Sequence, residues 1–175
     1  LLGFSQKLEI GHVPAEIIAK DPGNFFNTIT VNKGSSHGIK PDMPVIALQD
    51  GFEGLVGKVA GVGLMTSEII PIYDRNCFVA ARLMNTRYEG LTSGQGNYSD
   101  FIKMRYVKKN ARTEIQYGDL VITSGMNSIY PRGIYLGRIR NIAAKDYETS
   151  LELEVEPILD FSKLEYVFIL QVESK

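Results

Sequence analysis

With 175 residues, 44% of them hydrophobic and 22% charged, the chain can bury a core and does not have the composition of a disordered segment. A net charge of −1 and a pI near 6.2 argue against a broadly basic surface of the kind that holds nucleic acid. The lone cysteine, Cys77, cannot close an internal disulfide, and no run reaches the roughly 18 apolar residues of a membrane-spanning helix.

The chain starts at Leu1 rather than at methionine, so it is read as a fragment whose upstream part is expected to hold any membrane segment. Leu1, Phe4 and Leu8 fall at three-then-four spacing, one helical stripe that would suit the end of a coiled coil over residues 1–10. Beyond Gly11 and Pro14 the helix signals disappear. Short β-prone runs bounded by Gly, Pro, Asn and Asp predict strands near 16–20, 27–33, 43–49, 54–62, 67–72, 77–83, 88–92, 101–107, 119–123, 134–142, 150–156 and 166–172. A dozen short strands of this kind argue for all-β barrels or sandwiches.

Two strands alternate cleanly. Leu151, Leu153 and Val155 should face a core while Glu152, Glu154 and Glu156 face water, and Ile102, Met104 and Tyr106 should point one way with Lys103 and Arg105 the other. The run YVFIL at 166–170 is apolar throughout and is expected to be buried on both faces or between two units. A weak internal repeat links residues 38–62 with 117–142. Both carry an acidic turn, an apolar strand, a Gly-bearing loop and then Gly, two apolar residues, Gly, a basic and an apolar residue.

Motifs for chemistry fail on inspection. GFEGLVGKV has Phe52 where a phosphate loop needs its first glycine and Val59 where it needs the magnesium-binding hydroxyl, and His12 and His37 sit apart in loops without a metal-ligand pattern. Neither a cofactor nor a metal is expected. Ser124, His37 and one of Asp42, Asp74 or Asp119 could in principle form a triad, but Ser124 has no surround that would build an oxyanion hole. The basic stretch KMRYVKKNAR at 103–112, interleaved with Tyr106, could hold phosphate and stack bases as a nucleic-acid-binding barrel would, but a solvated strand face and its turn is the plainer reading.

The longest organised stretch is GDLVITSGMNSIYPRGIYLGRI at 118–139. A strand ends at Thr123, a turn passes Ser124, Gly125, Pro131 and Gly133, and a second strand holds Gly137. The apolar residues change parity across Gly137, which is how a bulge reads in sequence.

This stretch resembles the bacterial cell-shape protein family MreC. The resemblance extends to KGSSHGIKPDMPV, GLVGKV, IIPIYDRNCFVAARL and VEPILDFSKLEYVFIL, and so covers nearly the whole chain beyond residue 14. It implies a coiled coil followed by two small six-stranded β-barrels that look like chymotrypsin-type barrels without the catalytic residues. It further implies a non-enzymatic scaffold, dimeric or filamentous, that organises side-wall peptidoglycan synthesis. The implied partners are MreD, the MreB system, a RodA-type polymerase and a class B penicillin-binding protein. The implied place is the outer side of the inner membrane, held by an upstream helix.

The strands could divide in tandem near residue 85, as the repeat suggests. The family resemblance suggests an insertion, with 11–66 and 148–175 forming the first barrel and 67–147 the second. Partner contacts are expected at apolar loop tips, Phe25 and Phe26 in one loop and Ile129 and Tyr130 in another, unless these side chains fold back as plugs over the barrel ends.

Overall fold

The computed structural model describes residues 10–20, 27–126, 128–144 and 147–172. The helical stripe Leu1, Phe4, Leu8 and the pair Phe25 and Phe26 lie outside the described residues. The strands are β1 His12–Lys20, β2 Ile29–Val31, β3 Pro44–Gln49, β4 Phe52–Val62, β5 Ser67–Pro71, β6 Phe78–Leu83, β7 Glu89–Ser93, β8 Ile102–Lys108, β9 Leu120–Thr123, β10 Tyr135–Ala143, β11 Ser150–Pro157 and β12 Tyr166–Leu170.

They fall into two units. One holds the chain through Pro71 together with Asp160 onward, and the other holds Ile72–Leu159. In the first, antiparallel pairings run β12 to β1, β2, β5, β4, β3 and back to β12. In the second they run β6 to β7, β8, β11, β10, β9 and back to β6. Each ring is closed, so every strand pairs on both sides over part of its length, while residues 12–16 of β1 pair on one side only. Both have the same order, three strands in succession and three reversed, with the fourth beside the first as in a Greek key. The first unit takes its opening strand from the end of the chain.

The strand sharing differs from the expected boundaries. Strand β5, expected to open the second barrel, pairs with β2 and β4 of the first. Strand β11, expected to return to the first barrel, pairs with β8 and β10 of the second, where Leu151, Leu153 and Val155 join Ile102, Met104 and Val107 in the core. Only β12 returns. A division near residue 85 would fall between β6 and β7, which pair along their whole length.

Three local differences have physical causes. Strand β1 starts four residues early and includes Pro14, because β2 does not pair with β1 before Ile17 and a missing N–H is harmless on an open side. Tyr106 does not follow Ile102 and Met104 inward. Two residues of β8, Arg105 and Tyr106, oppose the single Glu152 of β11, and this bulge turns Tyr106 out while Val107 takes the inward place. In YVFIL, Val167, Ile169 and Leu170 are buried but Tyr166 is 63% exposed, so the run is not buried throughout.

The internal repeat occupies equivalent places in the two rings, β3 and β4 in one and β9 and β10 in the other. Asp42 and Gly118 both adopt left-handed backbone. The Val59 N–H donates to the Met43 carbonyl as that of Ile139 does to Asp119, and Asp42 donates to Val59 as Gly118 does to Ile139. Lys58 reaches the Asp42 carboxylate at 3.4 Å, and Arg138 donates to the Gly118 carbonyl at 3.1 Å. Gly57 stands opposite Pro71 as Gly137 stands opposite Pro157.

Candidate functional site

Thr123 ends β9 and Ser124 follows it, and both are buried. The Thr123 hydroxyl donates to the Pro131 carbonyl at 2.6 Å and accepts from the Ile134 N–H at 2.9 Å, so one side chain bridges both ends of the segment between β9 and β10. The Thr123 backbone adds two ladder bonds, its N–H to Ile134 and its carbonyl from Gly133. Ser124 Oγ accepts from the Met126 N–H at 3.3 Å, a side-chain turn around Gly125, whose φ of +73° suits glycine. Gly133 is left-handed as well, at φ +87°.

Gly137 serves a different need. Its backbone is not left-handed, but a Cβ there would meet the Glu156 carbonyl carbon and the Val155 side chain, each at 2.8 Å. The register slips between Tyr135 and Gly137 against β9 and again between Ile139 and Asn141 against β11. These slips let Ile134, Leu136 and Ile139 all be fully buried despite the change of parity.

The expected loop-tip contacts separate. Tyr130 is only 3% exposed, with its hydroxyl 3.8 Å from the buried Cys77 sulfur, and Ile129 is half-buried. Tyr130 is therefore a buried side chain rather than an exposed loop tip, and its N–H donates to Ser128 Oγ.

The histidine and carboxylates that could have formed a triad are engaged elsewhere, all but Asp42 within their own turns. His37 Nδ1 accepts from the Gly34 N–H, Asp74 accepts from the Asn76 N–H, Asp119 accepts from the Gln116 N–H, and Asp42 pairs with Lys58. No group of three His, Cys, Asp or Glu side chains placed to hold a metal occurs among the described residues.

The basic stretch is only partly neutralised. Lys103 and Arg105 meet the Glu152 carboxylate at 3.1 and 3.4 Å, and Arg105 also donates to Ser93. Burial pushes the Glu152 pKa up, but the hydrogen bond and charge of Lys103, joined by Arg105, outweigh it and hold the carboxyl below its ordinary range. Elsewhere in this unit burial, followed by Tyr98 and Asp74, pushes the Tyr73 hydroxyl up to about 12.

Two closed six-stranded antiparallel rings of Greek-key order define an all-β barrel protein. A family model described as "Rod shape-determining protein MreC, barrel core" matches residues 17–171. The chain belongs to the MreC family.

Among relatives, it is 28% identical to the cell shape-determining protein MreC of Geobacillus stearothermophilus over 93% of this chain and 60% of that protein. It is 22% identical to that of Escherichia coli over 97% of this chain and 44% of that protein. The chain thus spans about 60% or less of these two relatives. Among solved structures, MreC of Listeria monocytogenes superimposes with a TM-score of 0.81 at 23% identity, over 97% of this chain and 82% of that one. A chain from a complex between the penicillin-binding protein PBP2 and MreC of Helicobacter pylori superimposes with a TM-score of 0.67 at 15% identity, over 93% of this chain and 99% of that one.

Proposed function

We propose that this chain is the extracytoplasmic barrel region of a membrane-anchored scaffold that organises side-wall peptidoglycan synthesis and so maintains rod shape. The observation that carries the reading is the family match across residues 17–171. Its partner is a class B penicillin-binding protein, a reading supported by the PBP2 and MreC complex of Helicobacter pylori. MreD, the MreB system and a RodA-type polymerase complete the assembly, and the scaffold self-associates as a dimer or filament. It works outside the inner membrane, held by an upstream helix; a related solved structure is described as a major periplasmic domain.

The scaffold is not an enzyme. Ser124 accepts a backbone hydrogen bond from Met126 within its own turn and is 2% exposed, a poor position for a nucleophile. Phe25 and Phe26, with half-buried Ile129, are the remaining candidate partner contacts from the apolar loop tips.

The test is complementation. The chain joined to a membrane helix and coiled coil, expressed in rod cells depleted of their own MreC, should restore rods and crosslink to the class B penicillin-binding protein. Round cells despite normal expression would refute the reading, and labelling of Ser124 by a fluorophosphonate would refute its non-enzymatic part.

A further inference from the structure

The bulge in β8 places a tyrosine where the fold has no use for one. Tyr106 has φ +67°, the left-handed region that glycine, asparagine and aspartate occupy far more readily than an aromatic residue. The barrel needs the extra backbone position there, since it lets Met104 and Val107 both enter the core. It does not need the ring, which is 69% exposed and makes no hydrogen bond or ring contact with any described residue. A strained residue kept with an unused side chain points to a role outside the fold.

Every charged side chain of residues 103–112, the stretch that carries the ring, is basic. Lys103 and Arg105 are held by Glu152, and Lys109 donates to the Glu148 carbonyl at 3.2 Å. Lys108 and Arg112 are exposed and form no ion pair with any described residue. Glu152, opposite the bulge, is engaged by Lys103 and Arg105, and Glu114, two residues beyond Arg112, accepts from the Tyr88 hydroxyl.

We propose that the β8 bulge is a docking point for an acidic protein surface: Tyr106 enters an apolar pocket on the partner, and carboxylates on the pocket rim meet Lys108 and Arg112. The shape favours a protein over a small ligand, because the ring projects from the outer face of a strand, whereas small ligands take concave sites. Tyrosine and arginine are also among the side chains that most often anchor protein interfaces. Charge complementarity sets the partner's sign.

The probe is the extracytoplasmic region of the class B penicillin-binding protein from the same cell, a choice that rests on the proposed function. Binding to the full 175-residue chain is compared for wild type, Tyr106→Asn and the double variant Lys108→Glu with Arg112→Glu, at low and high salt, alongside thermal melts. Tyr106→Asn should melt at the same temperature or higher, since asparagine tolerates the left-handed backbone, and should bind about tenfold more weakly. The charge variant should also bind about tenfold more weakly at low salt and should lose most of the salt dependence that wild type shows.

Wild-type binding that neither variant weakens would overturn this surface and leave the partner standing. No wild-type binding would overturn both. A lower melting temperature for Tyr106→Asn, with the charge variant binding normally, would make the ring structural and end the proposal. Loss of self-association in sedimentation, with penicillin-binding protein affinity unchanged, would assign the surface to a second copy of this chain and overturn the partner named here.

Discussion

Gly137 lies against Glu156 so closely that the carbonyl carbon of Glu156 would sit 2.8 Å from a Cβ at position 137. The clash is with backbone held in the β10 and β11 ladder, which cannot rotate away as a side chain would. Gly137→Ala should therefore destabilise the chain by about 1 to 3 kcal/mol, the usual cost of overpacking, and Gly137→Val by more. Gly118→Ala is the control. A Cβ at Gly118 meets nothing within 4 Å, so only its left-handed backbone counts, at about 1 to 2 kcal/mol. Denaturant melts with matched slopes would check the order.

The Thr123 hydroxyl joins two backbone groups that the barrel otherwise buries unpaired. Thr123→Val keeps the shape and removes both hydrogen bonds, and should cost about 1 to 3 kcal/mol by stranding buried polar groups. Thr123→Ser keeps the hydroxyl, loses one methyl, and should cost about 1 kcal/mol. Equal losses in the two variants would mean that packing, not hydrogen bonding, holds the segment between β9 and β10.

The contrast between Gly137 and Tyr106 shows how much was legible in the sequence. Both mark bulges. At Gly137 the parity of Ile134, Leu136 and Ile139 changes visibly across a glycine, so the bulge can be read. At Tyr106 the alternation runs unbroken from Ile102, and the slip appears only when β8 is laid against Glu152 of β11. Strand positions follow from local turn chemistry and were legible for the same reason. Strand sharing was not, because Ser67–Pro71 and Ser150–Pro157 are equally suited to either barrel by composition, and pairing partners distant in the chain leave no local mark. Pro14 misled in the opposite direction, since a strand with one open side tolerates proline.

Glu152 gives the second barrel a pH dependence. Its folded pKa lies below the ordinary carboxylate value, so the unfolded chain takes up the proton first. The stabilisation from Lys103 and Arg105 is then complete above the unfolded pKa and is lost as pH falls through the folded one. Thermal melts of wild type should fall across this acidic window more steeply than those of Glu152→Gln. The two should differ most near neutral pH and converge below the folded pKa. Parallel curves would show that the bridge adds nothing to stability, as many partly exposed ion pairs do not.

Tyr130 separates packing from binding in the loop where the sequence suggested a contact. At 3% exposure its ring is buried, so Tyr130→Ala should cost about 3 to 5 kcal/mol, as other buried aromatic truncations do. Tyr130→Phe keeps the ring and removes only the hydroxyl near Cys77, and should cost on the order of 1 kcal/mol. Half-buried Ile129 should lose about 1 kcal/mol on truncation to alanine. These magnitudes decide how a binding assay is to be read. Weak partner binding by Tyr130→Ala would follow from a damaged barrel, whereas weak binding by Tyr130→Phe, with its fold intact, would mean that the hydroxyl or its surroundings reach the partner. A Tyr130→Ala variant within about 0.5 kcal/mol of wild type, a change ordinary for surface substitutions, would contradict its burial and return Tyr130 to the surface.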